Sequence, residues 1–293
     1  MSAALEQPRG AQGEHDRAYR IDGPAELSES PARVWSLAAV LAATDWKVRF
    51  FGSALGYVWS LLRPLLLFAI LFVVFSEVVG LGDDVQHYPI QLLAGMMLYF
   101  FVNEVSGGAL TSLVDREALV RKVGFPRIVV PLSVGMLGLL NLGLNLVVLA
   151  VFLAIEQVEP RWTWLLLPIP LVVVAVGALG VGLLLSALYV RFRDVKPIWE
   201  VLLQALFYAT PILYPAERLV AESQTLGTIA MMNPLAVIVQ ETRHLLIGDG
   251  VPSAAEIAGG AGWLAVPAAI FVGVVVGGIW LFERTAPQAA ENL

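Results

Sequence analysis

The chain has 293 residues, of which 58% are hydrophobic and 14% charged, with a mean hydropathy of +0.77 and a net charge of −6. Soluble domains carry about 25% charged residues, so this chain has too little polar surface for a soluble globule of its size, and its composition is that of an integral membrane protein. Cysteine is absent and the three histidines, His15, His87 and His244, are far apart, which excludes a disulfide scaffold or Cys-ligated metal and argues against a His-rich metal site; the charge gives no hint of nucleic-acid binding.

Residues 1–32 are polar and hold no apolar run of signal-peptide type, which predicts an uncleaved, disordered cytoplasmic tail. Over 33–50, Val34, Trp35, Leu37, Ala38, Leu41 and Ala42 recur at roughly helical spacing. Trp35 and Trp46 flank the stretch, and Arg33, Asp45, Lys47 and Arg49 stand at its ends. This predicts an amphipathic helix in the membrane interface. A first span is disfavoured, because each charge costs about 2.5–3.5 kcal/mol at the bilayer centre.

A transmembrane domain follows over 51–285. Crossing takes about 20 apolar residues, and six stretches are predicted to cross: 65–79, 90–114, 128–155, 164–190, 198–213 and 263–282. Between the last two, Thr228 to Ile247 is apolar but broken by Asn233-Pro234, and it carries Glu241, Arg243 and His244. Re-entrant helices over 216–262 are therefore predicted rather than a seventh crossing. Residues 286–293 are expected to form a second cytoplasmic tail. With the N-terminus inside, six crossings leave only Arg161, Arg218 and Arg243 on the outer side, and the other fifteen of the 18 Lys and Arg on the inner side. The positive-inside rule thus predicts both termini in the cytoplasm.

No Walker A sequence, nucleophile elbow or His-Glu-x-x-His occurs, so the chain encodes no phosphate cradle and no recognisable catalytic site. It is not expected to be an enzyme by itself. If it moves a substrate uphill, another chain must bind the fuel.

Two inner loops are basic and compact. In 115–127, Asp115 and Glu117 come early and Arg121 and Lys122 late, as suits a helix dipole, and Gly124 and Pro126 stop the helix. Either it is a solvated turn that fixes orientation, or it docks a cytoplasmic partner. The second loop runs from Tyr189 to Pro197, and Phe192 among its charges is typical of a contact surface. Within the second span, Asn103 and Glu104 are polar. An ionisable residue there is a functional-site hypothesis, set against a Glu hydrogen-bonded inside the bundle. Asn141 and Asn145 share a face of the third span, where hydrogen bonds between helices are expected. Gly273 and Gly277 suggest close packing of the last span. Tyr57, Trp59, Tyr99, Phe100, Phe101, Phe207, Tyr208 and Tyr214 lie near span ends. They could form an interfacial belt or, since aromatic faces stack on the apolar C–H face of sugar rings, line a carbohydrate conduit.

Four stretches, taken in order, resemble the transmembrane subunits of ABC-2 type exporters of polysaccharides and polyol phosphates. They are Phe51-Gly-Ser-Ala-Leu-Gly-Tyr-Val-Trp-Ser-Leu-Leu-Arg-Pro64, Leu119-Val-Arg-Lys-Val-Gly-Phe-Pro-Arg127, Leu185-Ser-Ala-Leu-Tyr-Val-Arg-Phe-Arg-Asp-Val195 running into Tyr208-Ala-Thr-Pro-Ile-Leu-Tyr-Pro215, and Asn233-Pro234 before an amphipathic segment. Arg63, where the family often has Asn, and Glu104, in a stretch usually small or neutral, depart from its pattern. The resemblance implies the all-α ABC-2, or type V, exporter fold, with six transmembrane helices, an N-terminal interfacial helix and re-entrant helices before the last span. It also implies a homodimer in the bacterial inner membrane. Each copy would dock one separate ATPase subunit, which holds ATP and Mg, while this chain binds no cofactor or metal of its own. Arg116, Glu117, Leu119, Arg121, Lys122, Phe125, Arg191, Arg193 and Asp194 would couple to the ATPase. Tyr57, Trp59, Tyr99, Phe100, Phe101, Glu104, Phe207, Tyr208 and Tyr214 would line the channel. The substrate would be an O-antigen, galactan or teichoic-acid-like chain on a polyprenyl-diphosphate lipid. Two other readings are an ABC-2 permease for a drug or small lipid and an ATP-independent membrane scaffold.

Overall fold

The computed structural model describes residues 30–50, 58–122 and 126–292. The tail expected over 1–32 lies outside them as far as residue 29, and so do Tyr57 and Phe125. Of Arg121 and Lys122 only the helical backbone is described.

Among the described residues all regular structure is helical. Helix α1 (Pro31–Phe50) comes first, then α2 (Val58–Val73), which runs on as a π turn over Val74–Val78. A short α3 (Leu81–Asp84) leads to α4 (Tyr88–Asp115), α5 (Glu117–Lys122) and α6 (Val129–Ile155). A 3-10 turn, Trp162–Leu166, opens into α7 (Pro168–Arg191), which is followed by α8 (Val195–Ala209). Four short helices come next: α9 (Glu217–Glu222), α10 (Gln224–Met231), α11 (Pro234–Ile247) and α12 (Ala254–Ile257). The chain ends with α13 (Ala265–Asn292), helical through the residues expected to be a tail.

Five stretches are long and apolar enough to cross a membrane: Leu61–Val78, Tyr88–Asp115, Val129–Ile155, Trp162–Arg191 and Ala261–Thr285. They correspond to the first four predicted spans and the last. The fifth prediction, 198–213, differs. Its helix α8 has 15 residues, about 22 Å at 1.5 Å per residue, against a hydrocarbon core of about 30 Å. The helix stops at Ala209 because Thr210 turns extended, and Pro211 and Pro215 cannot continue it. The segment after it is helical but broken at Asn233-Pro234, where the Asn233 side chain caps α11 by accepting from Leu235 N–H at 3.0 Å.

Helix α4 is the centre of the bundle and is largely buried, flanked by α6 and α7, while α2 and α8 lie against it more loosely. Three of its polar residues are satisfied locally. The Ser106 and Ser112 hydroxyls donate to the Val102 and Ala109 carbonyls at 2.6 and 2.7 Å, and Gln91 Nε2 donates to the Gln86 carbonyl at 2.9 Å. Helix α1 packs along α6 with Ala38 and Ala42 buried.

Helix α13 packs on α7, and the contact is set by Gly180 and Gly278. A methyl group on Gly180 would stand 2.9 Å from Val275 Cα, and one on Gly278 would strike the Gly180 carbonyl. Small residues let helix backbones approach. The Gly273 and Gly277 pair suggested by spacing has open space at both positions; the close approach falls one residue later. Gly278→Leu is therefore expected to destabilise the fold by about 1–3 kcal/mol through overpacking, lowering the thermal midpoint of the detergent-purified protein. Gly273→Leu should leave the midpoint unchanged. Equal midpoints for both variants would show that α7 and α13 separate without cost.

Candidate functional site

At the end of the bundle where α4 stops, α5 follows it after Arg116 alone. Arg116 pairs with Asp45 of α1 and donates from Nη1 to Ser133 Oγ of α6 at 3.2 Å. Glu117 opens α5, and Leu119 is exposed. The second basic loop stands at the α7–α8 junction. Arg191 is the last residue of α7, its guanidinium 5.4 Å from the Phe192 ring; Arg193 lies 4.9 Å from the Tyr189 ring. Phe192 and Asp194 are exposed. These stacked, exposed arginines and Phe192 present flat apolar and cationic surface together, which suits contact with a protein partner.

Four of the eight aromatic candidates form one row between α4 and α8. The Tyr99 ring lies 5.7 Å from Phe100 and 4.8 Å from Phe207, and Phe207 lies 5.4 Å from Tyr208. The Tyr99 hydroxyl donates to the Leu203 carbonyl at 2.9 Å, and the Tyr214 hydroxyl reaches the Tyr208 carbonyl at 3.4 Å. Tyr99 is buried, but Tyr208 at the end of the row is 67% exposed, so the row has one open end. Phe101 is not part of it: it is buried on the side of α4 that meets Gly138 of α6. Trp59, on α2, is half exposed.

Glu104 is engaged on the other side of α4. Its Oε1 accepts from Arg49 Nη1 at 2.6 Å and from Asn141 Nδ2 at 2.7 Å. Asn141 thus makes the bond between helices expected of it. Asn145 bonds within its own helix, to the Asn141 carbonyl at 2.9 Å. The sequence names Asp45 and Arg49 only as end charges. The available signal is their opposite signs one turn apart, and only the fold shows which charges face them.

At the opposite end of the bundle, around the start of α4, the organising residue is Arg243, expected from the sequence to lie in a re-entrant segment. It is 1% exposed. Its Nε donates to the Gln91 carbonyl at 2.9 Å, and Nη1 and Nη2 donate to those of Pro211 and Ile212 at 2.6 and 2.8 Å. Nearby, the Tyr88 hydroxyl donates to the Leu213 carbonyl at 2.8 Å, and Trp164 Nε1 donates to that of Leu246 at 3.0 Å. The break after α8 and helix α11 are thus sewn onto the start of α4, and α11 is also tied to the turn that opens into α7. After α11, Ser253 caps α12. Its backbone N–H and hydroxyl donate to the Glu256 carboxylate and hold that carboxyl below its ordinary range.

Among the described residues, no cluster of His, Asp or Glu could hold a metal ion. Residues 37–247 match the family model described as ABC-2 type transporter. The O-antigen export system permease protein RfbA of Myxococcus xanthus is 27% identical over 253 residues, 86% of this chain and 94% of that protein. Two proteins of the same name from Klebsiella pneumoniae are 27% and 28% identical over 216 and 215 residues, each match covering 73% of this chain and 81% of the relative. The all-helical bundle with its membrane-crossing helices agrees with that match, and the chain belongs to the ABC-2 type transporter family, as a multi-pass membrane component of a transporter.

Proposed function

We propose that this chain is the permease subunit of an ATP-driven exporter that carries a lipid-linked, O-antigen-type polysaccharide outward across the inner membrane. The carrying observation is the RfbA match, which extends over 94% of the Myxococcus protein. Two copies form the conduit, and each docks a separate ATPase subunit that binds ATP and Mg. Helix α5 and the Arg191–Asp194 junction are the docking surfaces. Both termini lie in the cytoplasm, with α8 and the residues after it providing the sixth crossing.

The bare face of α8 supports a conduit between copies. Ile198, Val201, Leu202 and Tyr208 are exposed there, and so are Glu200 and Gln204, one turn apart and one turn short of Tyr208. A carboxylate and an amide on a membrane helix belong against water or a partner rather than lipid. The open end of the aromatic row, at Tyr208, is where a sugar ring would stack.

Depletion of this chain is expected to make lipid-linked polysaccharide accumulate on the cytoplasmic side, read by protection from an external glycosidase. The tagged chain should co-purify with an ATPase. A depleted strain that exports its glycan normally but loses efflux of a drug or small lipid would replace this reading.

A further inference from the structure

Asp45 and Arg49 stand one turn apart on α1 with opposite charges. Their partners, Arg116 in the one-residue link after α4 and Glu104 on α4, are also opposite in sign but twelve residues apart, about 18 Å at 1.5 Å per residue. Each link also reaches α6. Arg116 pairs with Asp45 and donates to Ser133 at 3.2 Å, while Glu104 accepts from Arg49 at 2.6 Å and from Asn141 at 2.7 Å. Three helices therefore meet at two heights.

The signs matter. The carboxylate on α1 meets the arginine just after α4, and the arginine on α1 meets the carboxylate on α4. Reversing α1 end for end would bring like charges together, so the quartet specifies its direction and height along α4. Arg49 and Glu104 are 45% and 29% exposed, and in water such a pair would hold little. Glu104, however, sits inside the membrane-crossing stretch Tyr88–Asp115, where a carboxylate needs a partner. Arg116 immediately precedes α5, so a push on α5 acts directly on the lower pair.

We propose that the two ion pairs form a strut that joins α1, α5 and the inner parts of α4 and α6 into one lever, with Glu104 as the positioning residue that ties the lever to the bundle. This rests on the exporter reading above. Without the upper pair, an ATPase still docks and hydrolyses ATP, and α1 stays packed on α6, but its motion is no longer passed to α4 at the level of Glu104 and the spans do not follow. The result is hydrolysis without export.

The test uses the full chain assembled with its ATPase in proteoliposomes, in wild-type, Arg49→Gln, Glu104→Gln, Arg49→Gln/Glu104→Gln and Arg49→Lys forms. Bound ATPase, ATP hydrolysis and glycan exported per ATP are measured. Both single Gln variants should retain the ATPase and its hydrolysis, while export per ATP falls about tenfold, within the usual range of coupling between sites. The double variant should be no worse than either single one, because both remove the same interaction. Arg49→Lys should recover most of the ratio. A merely structural defect lowers the amount of complex and leaves the ratio intact. Unchanged export per ATP in Glu104→Gln, or losses that simply multiply in the double variant, would overturn the strut. A wild-type chain that binds no ATPase would instead overturn the exporter reading, and the lever with it.

Discussion

Arg243→Met should leave the half of the bundle around the start of α4 unable to hold together. The guanidinium is buried and donates to three backbone carbonyls, one on α4 and two in the break after α8. Methionine keeps much of the volume and supplies no donor. Removing the charge relieves its own desolvation, and replacing a whole buried ion pair by apolar groups can even stabilise. Here, however, the acceptors are main-chain carbonyls that remain behind. Each orphaned carbonyl costs about 1–3 kcal/mol, so a net loss of about 3 kcal/mol or more is expected. That is a large part of the roughly 5–15 kcal/mol that holds a typical domain. The expected readings are a much lower thermal midpoint in detergent and little protein in the membrane. Arg243→Lys should fall between the two, because an ammonium cannot reproduce the planar fork of donors. A Met variant as stable as wild type would show that the carbonyls find other donors and that Arg243 braces nothing.

Reversing Arg121 and Lys122 to Glu should separate insertion from coupling. These residues close α5, whose acidic start at Glu117 and basic end complement the helix dipole. A lever between a soluble motor and a membrane bundle has to be rigid where it is touched and joined directly to the spans. One residue, Arg116, separates α4 from α5, so little slack lies between them. Charge reversal at the rim of an interface acts mainly on association and its salt dependence. The double variant should lose at least about tenfold in affinity for the ATPase, the equivalent of about 1.4 kcal/mol. The measurements are pull-down and ATPase activity of the complex in lipid. Insertion is checked separately by tag accessibility, since the change also disturbs the positive-inside balance. Undiminished binding and activity would move the docking surface to α1 or to the Arg191–Lys196 junction.

Much of the architecture is legible in the linear chain because lipid imposes a strict rule on composition. A crossing helix needs an apolar stretch of sufficient length, and the predicted limits 90–114 and 128–155 differ from α4 and α6 by at most two residues at either end. Asn233-Pro234 announces the start of α11 because a capping side chain and a ring without N–H suit a helix start. Helix α8 is less legible: its sequence is apolar enough for a span, and only the turn at Thr210 shows how early the helix stops. The two charge pairs are the least legible. Asp45 and Arg116 are 71 residues apart, and Arg49 and Glu104 are 55 apart, so no local pattern relates them.

The sequence by itself determined the membrane class, the limits of most spans, the lack of an encoded phosphate cradle and the break before the last span. Each follows from a local quantity: apolar length, the presence of a motif, or a residue that caps or stops a helix. Tertiary structure decided what the polar residues inside those spans do. It placed Glu104 against Arg49 and Asn141, put Phe101 on the opposite side of α4 from the aromatic row, and gave Arg243 three carbonyls from two other parts of the chain. The reason is that a helix has faces all round its axis, and the sequence alone does not say which neighbour covers each face. A buried polar group is satisfied by whatever packing brings within about 3 Å of it, and only the assembled bundle sets those distances.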